Sequence, residues 1–165
     1  MKICTALFGA ALTTCIAGLS FAQADLPFGG FSHDNSQPVE IAADSLTVNQ
    51  AEGRVLFDGN VAVGQGTLRL QANRIVVTYI GEGVTGQVDR MEATGDVVLT
   101  NGAEAAEAQN AVYEVASGSV VMTGDVLLTQ GENALSGERL RIDLTTGTAQ
   151  MEGRVRTILQ PASGQ

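Results

Sequence analysis

Few residues in this chain could take part in acid–base, nucleophilic or metal chemistry. His33 is the one histidine, and the two cysteines are Cys4 and Cys15. After position 36 the sequence therefore offers no Ser-His-acid triad and no Cys/His metal-binding set. Glu104 and Glu107 form a pair of acids of the kind that glycosidases use. Such acids are far more often turn or surface residues, so we expect no enzyme activity.

Two Gly-Asp pairs, Gly95-Asp96 and Gly124-Asp125, raise the question of calcium binding. Calcium prefers carboxylate and carbonyl oxygens. In calcium-binding β-helices these acids come in a nonapeptide repeat, which this sequence does not contain. We therefore predict neither a metal nor a cofactor.

The amino terminus has the composition of a secretory signal. Lys2 is followed by an apolar run, residues 3–19, that is rich in small side chains. Ala22-Gln23-Ala24 fits the positions that signal peptidase reads, so we predict cleavage after Ala24 and export of the protein. The apolar run is too short and too rich in Gly, Thr and Ala to favour a membrane anchor.

The predicted mature chain is acidic and has no thiol, because both cysteines lie within residues 1–24. The full chain has a net charge of −9; removing Lys2 leaves 9 − 1 = 8 basic residues, all arginine, against 18 acids and a net charge of −10. This sign disfavours nucleic acids and anionic membrane surfaces. Aromatic residues are 4% of the chain, which leaves few stacking surfaces, so we expect no nucleic-acid partner.

From Pro38 onward the chain consists of short runs in which apolar and polar residues alternate. Alternation at period 2 is typical of strands with one buried face. Clusters of Gly, Asn, Asp and Ser separate these runs at short intervals. Residues 103–108 favour a helix by composition. They align with strand-like segments of an internal repeat, so we predict a strand there.

The internal repeat is marked by a glycine and a partner 13 residues later: Gly59 and Ala72, Gly95 and Ala108, Gly124 and Gly137. The repeat step is 29 residues, stretched once to 36 where we predict a longer loop at residues 81–86. A fixed period of this size indicates a stacked repeat architecture. We predict an all-β fold of many short antiparallel strands, either a jellyroll-like sandwich or a β-solenoid.

The face shared by these runs is built of Val, Leu, Ile and Ala with few large aromatics. Such a face packs as an aliphatic core or lines an incompletely filled trough, and the pattern alone leaves both open. Alternation places Val97, Leu99, Tyr113 and Val115 on this face.

Six segments, taken in order, form a pattern shared with one known family. They are Gln37-Pro38-Val39-Glu40-Ile41-Ala42-Ala43-Asp44, residues 57–66, Leu70-Gln71-Ala72-Asn73, residues 108–114, Thr123-Gly124-Asp125-Val126 and residues 156–161. In this order they resemble the OstA-like family of lipopolysaccharide transport proteins. The resemblance covers about residues 37–161, with residues 25–36 as a flexible lead-in and residues 162–165 as a tail.

The resemblance implies an open, V-shaped β-jellyroll in the periplasm whose apolar groove holds the acyl chains of lipid A. It implies four partners: lipopolysaccharide, a membrane-anchored inner-membrane member of the family (LptC-like), the amino-terminal domain of an outer-membrane barrel (LptD-like), and further copies of the chain joined head to tail. Val39 and Ile41 would lie at the amino-terminal edge of the groove. Tyr113 and Val115 would face the lipid, and alternation adds Val97 and Leu99.

The sequence departs from the family pattern in its acidity and in having no lysine after Lys2. An acidic rim repels the phosphates of lipid A unless arginines or cations intervene. The available arginines are Arg69, Arg74, Arg139 and Arg141, but charged residues on strands usually form a solvated face. The alternative function is a secreted structural or adhesive β-solenoid without a lipid ligand.

Overall fold

The computed structural model describes residues 37–159, and these residues form ten β-strands. The strands are β1 (Val39–Ala42), β2 (Ser45–Asn49), β3 (Arg54–Gln65), β4 (Leu68–Tyr79), β5 (Val88–Asn101), β6 (Glu104–Glu114), β7 (Ser119–Gln130), β8 (Asn133–Asp143), β9 (Thr148–Glu152) and β10 (Arg156–Ile158). The predicted all-β class is confirmed. Between residues 37 and 159 no helix is long and apolar enough to cross a membrane. The predicted signal peptide, lead-in and tail, with His33, Cys4 and Cys15, lie outside the described residues.

Strand β6 shows how tertiary context overrides local preference. Its first residues, Glu104 to Ala108, have the composition of a helix. In the structure they pair with β5 on one side and with β7 on the other. These two ladders satisfy the backbone groups, and Ala106 and Ala108 are buried on the inward face. The predicted strand is confirmed.

All ten strands belong to one antiparallel sheet. The order is β1-β3-β4-β5-β6-β7-β8-β10, with β2 also paired to β3 and β9 also paired to β8. The chain thus runs as a meander of hairpins from β3 to β8, with two short strands at each end. This layout is an open β-jellyroll and excludes the solenoid that the repeat also allowed.

The long strands bend where the sequence repeat places a glycine, and we call this line of bends the spine. Two consecutive residues at each bend have positive φ angles: Gly59 and Asn60, Gly95 and Asp96, Gly124 and Asp125, Gly153 and Arg154. The strand register shifts at the bends within β3, β5 and β7. At each of these shifts two residues of one strand lie opposite one residue of its partner, which is a β-bulge and turns the strand sharply.

A polar side chain crosses each bend and explains why a glycine stands there. At the second bend Asn73 Nδ2 donates to Asp96 Oδ2 at 3.0 Å. A Cβ on Gly95 would lie 2.7 Å from Asn73 Nδ2, so a larger residue would displace this bond. The other bends carry the corresponding bonds, which are Asn60 to Asp44 (2.7 Å), Gln109 to Asp125 (3.3 Å) and Arg154 to Glu138 (2.9 Å).

The spine divides the sheet into two arms. Arm 1 consists of β1, β10 and residues 61–65, 68–72, 97–101, 104–108, 126–130 and 133–137. Arm 2 consists of β2, β9 and residues 54–58, 74–79, 88–94, 110–114, 119–123 and 139–143. The two arms turn their apolar faces toward each other, and the hairpin turns form a lip at the end of each arm. The 80–87 segment, where the sequence predicts a longer loop, lies in the arm 2 lip and is closed by the bond from Ile80 N to Gln87 O at 2.8 Å.

The space between the arms is filled at one end of the fold. Toward β7 and β8 lies a group that we call the C-terminal core. Its five side chains are each at most 2% exposed: Met122, Leu128, Leu135, Leu140 and Ile142. Close packing of this kind is the normal state of a protein interior.

Candidate functional site

The other end of the space between the arms is a cavity of about 390 Å³, which we call the N-terminal cavity. Its walls come from both arms, mainly from β1 and from β3 to β6. Arm 1 contributes Val39, Ile41, Val63, Gln65, Leu68, Leu70 and Leu99; arm 2 and the turns contribute Val77, Tyr79, Val88, Met91, Ala93, Ala111, Tyr113, Val115, Val120 and Leu144. None of these side chains is charged. The volume lies in the range of roughly 300–1,000 Å³ that is usual for ligand pockets.

Five of the six predicted groove residues line this cavity: Val39, Ile41, Leu99, Tyr113 and Val115. Val97 does not. It follows the bend at Gly95-Asp96 and is fully buried at the apex of the V, where the arms meet. The other five residues are part of the cavity wall, and their contact with lipid stays a prediction.

Val88 and Met91 are cavity residues that the sequence pattern did not select. Met91 stands between Arg90 and Glu92, so its short run reads as a charged segment. The pairing of Met91 with Val77 and Tyr113 shows that it shares their inward face. Alternation together with the strand register would have found it.

Tyr113 is the one aromatic residue among the six predicted groove residues. Burial raises the pKa of its phenol above the ordinary value of 10.0. Ionisation among apolar neighbours would lose hydration without a compensating partner. The phenol is therefore neutral at physiological pH and adds no charge to the cavity.

Glu104 and Glu107 do not form a carboxylate pair. They are three residues apart on one strand, and residues three apart on a strand point to opposite faces. Glu104 pairs with Asn101 and is buried on the inward face, whereas Glu107 pairs with Val98 and is exposed on the outer face. Within residues 37–159 there is also no group of three or more His, Cys, Asp or Glu residues that could hold a metal ion.

The four arginines considered as headgroup contacts, Arg69, Arg74, Arg139 and Arg141, alternate with the inward residues of β4 and β8 and therefore lie on the outer face. Arg69 Nη1 donates to the carbonyls of Gly66 (2.7 Å) and Leu68 (2.8 Å). Arg74 forms an ion pair with Asp58 at 2.7 Å. None of the four lines the N-terminal cavity.

Comparison with known proteins places the chain in a family. Residues 40–148 match the model described as "LptA/(LptD N-terminal domain) LPS transport protein". The match includes 148 − 40 + 1 = 109 of the 165 residues. The chain belongs to this family. The matched range contains every predicted groove residue except Val39.

Individual relatives agree with the family match. An uncharacterized protein of Rhizobium meliloti (strain 1021) is 35% identical over 128 residues, which cover 73% of this chain and 69% of that protein. The lipopolysaccharide export system protein LptA of Escherichia coli (strain K12) is 36% identical over 62 residues, 38% of this chain. That second match spans 34% of the length of the E. coli protein.

A solved structure has the same fold. It is the crystal structure of LptH from Pseudomonas aeruginosa, described as the LptA homologous periplasmic component of the lipopolysaccharide transport device. The TM-score is 0.68 with 20% sequence identity, and the superposition covers 78% of this chain and 99% of that one. The family that the sequence resembled is therefore confirmed by sequence and by fold.

Proposed function

We propose that this protein binds lipopolysaccharide in the periplasm and shields its lipid A acyl chains in the N-terminal cavity. The observation that carries the proposal is a cavity of about 390 Å³ between the arms whose walls contain no charged side chain. Family membership supplies the ligand class, because the family is described as lipopolysaccharide transport proteins.

The energetics of acyl chains fit such a cavity. Each methylene removed from water contributes about 0.8 kcal/mol, so a chain of about a dozen carbons requires on the order of 10 kcal/mol of shielding. A wall of aliphatic side chains provides that shielding without a chemical step. The role we propose is therefore transport and not catalysis.

The proposal includes export and the domain limits. Residues 1–24 would be removed after Ala24, residues 25–36 would be a lead-in, the jellyroll would extend over residues 37–161, and residues 162–165 would form a tail. The protein would then act in the periplasm. Amino-terminal sequencing of the protein purified from the periplasm tests this directly: Asp25 is the expected first residue.

We further propose that copies join end to end and form a bridge between the two membranes. The supporting observation is that both ends of the described sheet have strands paired on one side only, β1 and β2 at one end and β9 and β10 at the other. Both ends also expose large apolar side chains, such as Leu46 at 58% and Ile158 at 62%. Exposed edge strands of this kind accept a further strand.

By the same contact, we propose docking of the terminal copies onto an inner-membrane LptC-like member and onto the amino-terminal domain of an LptD-like barrel. Sedimentation over a range of concentrations tests self-association. Ile158→Asp should lower the average mass, whereas Ile80→Asp, also at an exposed apolar residue but away from both ends, should not. Equal masses for all three proteins would contradict end-to-end docking.

The experiment for the ligand is native mass spectrometry of the mature chain with and without added lipopolysaccharide. We expect a complex of the added lipid's mass. Tyr113→Arg should abolish it, because a guanidinium in the cavity would lose its hydration. Gln71→Arg, on the outer face of β4, is the matched control and should bind normally.

Far-ultraviolet circular dichroism of both variants shows whether the fold is retained. Binding by a folded Tyr113→Arg variant would remove Tyr113 from the lipid site. No binding by the folded wild-type chain would favour the structural or adhesive alternative.

A further inference from the structure

One row of inward-facing side chains differs from all the others. Strand register connects seven residues across arm 1, each directly opposite the next: Val39, Gln65, Leu68, Asn101, Glu104, Gln130 and Asn133. Partners in an antiparallel register share one face of the sheet. This row therefore faces the space between the arms, at the lip of arm 1. We call its five polar members (Gln65, Asn101, Glu104, Gln130 and Asn133) the polar row.

The polar row is not polar merely because it lies near the hairpin turns. The next row inward on arm 1 is apolar from β1 to β8: Ile41, Val63, Leu70, Leu99, Ala106, Leu128 and Leu135. The outer row of arm 2 is also apolar or aromatic: Val48, Val55, Val77, Met91, Tyr113, Val120, Ile142 and Ala149. The two lips therefore have different chemistry, one polar and one apolar.

The polar row is an ordered structure inside the fold. Glu104 is 3% exposed and Asn101 is 7% exposed. Gln130 Nε2 donates to Glu104 Oε1 at 2.5 Å, and Thr67 Oγ1 is 2.6 Å from Asn101 Oδ1. Burying amides and a carboxylate costs free energy even with such partners, and aliphatic residues would avoid that cost.

The row runs at right angles to the strands and hence along the length of the trough. Neighbouring strands are about 4.8 Å apart, so the five steps from β3 to β8 span roughly 24 Å. Its first polar member, Gln65, lines the N-terminal cavity. An amphiphile with its acyl chains in that cavity would have its polar part at the level of this lip.

We propose that the polar row binds the sugar of the glycolipid headgroup, through the hydroxyl and amide groups of that sugar. The half-buried members Gln65, Gln130 and Asn133 present amides, which both donate and accept hydrogen bonds, so hydroxyl and amide groups are suitable partners. Glu104 is buried beneath them and holds the Gln130 amide in place. Phosphate is not, because the row contains no cation and its one charge is negative. This inference rests on the proposed lipopolysaccharide function and specifies which part of that ligand the protein recognises.

The test compares three probes: lipopolysaccharide, hexadecanoic acid, which has an acyl chain and no sugar, and N-acetylglucosamine, which has a sugar amide and no acyl chain. In the double variant Glu104→Leu/Gln130→Leu both members of a hydrogen-bonded pair are replaced, so neither is left without its partner. We expect about tenfold weaker binding of lipopolysaccharide and unchanged binding of hexadecanoic acid. The free sugar should bind to neither protein. The polar row binds a headgroup only when the cavity already holds the acyl chains of the same molecule.

The matched control is Glu107→Leu, a change of the same acid on the same strand but on the outer face, and it should leave all three affinities unchanged. Gln65→Leu provides a second reading in case the double variant unfolds, since Gln65 is half-buried at the first position of the polar row. It should weaken lipopolysaccharide binding, whereas hexadecanoic acid should bind equally well or more tightly, because leucine makes the cavity wall more apolar.

Equal loss for both lipids, or no loss in either folded variant, would overturn the sugar site. If the free sugar bound as tightly as lipopolysaccharide, the polar row would be a site for soluble sugars and not for a lipid headgroup. If the wild-type chain bound neither lipid, the proposed function itself would fail, which is a distinguishable result.

Discussion

The N-terminal cavity and the C-terminal core are two parts of the same trough, built from the same rows of inward-facing residues. Near β7 and β8, long side chains from both arms, such as Leu128 of arm 1 and Leu140 of arm 2, are at most 1% exposed. Near β4 to β6, the second arm presents the short side chains of Ala93 and Ala111, and the space stays open. Side-chain volume, and not the strand pattern, thus decides whether the trough is a core or a site.

The N-terminal cavity and the C-terminal core also have different roles in the fold. An unfilled cavity forfeits the contacts that its lining atoms would otherwise make. The C-terminal core supplies the close packing that the N-terminal cavity lacks. The ends of the fold should therefore respond differently to the same mutation.

The largest expected effect is on stability in the C-terminal core. Leu140→Ala removes a fully buried side chain and should lower the free energy of unfolding by about 2–5 kcal/mol. Leu70→Ala, the same change in the cavity wall, should cost about 1 kcal/mol, because fewer contacts are lost there. Denaturant unfolding followed by circular dichroism measures both. Equal losses would contradict the division of roles.

The spine should be the next most sensitive part. Gly95 has a φ of +79° and a Cβ there would lie 2.7 Å from Asn73 Nδ2. Gly95→Ala should therefore destabilise the protein by about 1–3 kcal/mol through strain at the bend. Gly102→Ala is the control, since Gly102 also has a positive φ but no atom within 4 Å of the added Cβ. It should cost about 1 kcal/mol, and thermal unfolding compares the two.

Filling the N-terminal cavity should make it resemble the C-terminal core. Ala111→Leu adds an apolar side chain at a wall position and should leave stability unchanged or raise it by about 0.5–1 kcal/mol. The same change should weaken lipopolysaccharide binding. Ala105→Leu, on the outer face of the same strand, should not affect binding. Undiminished binding by the folded Ala111→Leu protein would show that the ligand does not enter the cavity.

The smallest expected effect concerns pH and the turn after β8. Asp143 Oδ1 accepts hydrogen bonds from the backbone N–H groups of Thr146 (2.9 Å) and Thr145 (2.8 Å). The Thr146 bond is the main cause that lowers the pKa of the Asp143 carboxyl below 3.8. A lowered pKa in the folded state adds stability above the unfolded value, and this addition is lost as the pH falls through the folded value.

The melting temperature of Asp143→Ala should therefore be slightly below that of the wild type at pH 7. The difference should begin to shrink near pH 4 and disappear as the pH falls through the lowered pKa of the Asp143 carboxyl in the folded state. A difference that persists at pH 2 would mean that the carboxylate charge is not its cause.

Much of the fold could be predicted from the sequence because alternation and glycine positions act locally. The inward face of the strands follows from the alternation, and the glycines of the repeat mark the positions at which the structure has its bends. Even the β6 strand, whose composition favours a helix, was predicted correctly once its position in the repeat was considered. The family was recognisable from short segments in a fixed order.

The site was less predictable, since period 2 identifies a face but not a place along the strand. Val97 and Leu99 are two residues apart and both face inward, yet Val97 is at the closed apex and Leu99 lines the cavity. The polar row was hidden for the same reason. Asn101 and Gln130 stand beside turns and read as turn residues, and only the register shows that they face inward.

The measurement that most directly tests the central claim is photocrosslinking of lipopolysaccharide to protein in which a diazirine analogue replaces leucine throughout. The analogue is close to leucine in size, so both ends of the trough can be probed in one folded molecule. We predict that peptide mass spectrometry finds the lipid on Leu68, Leu70 and Leu99 of the N-terminal cavity. Crosslinks mainly to Leu128, Leu135 and Leu140 would contradict the account, because they would place the acyl chains where the structure has a packed core.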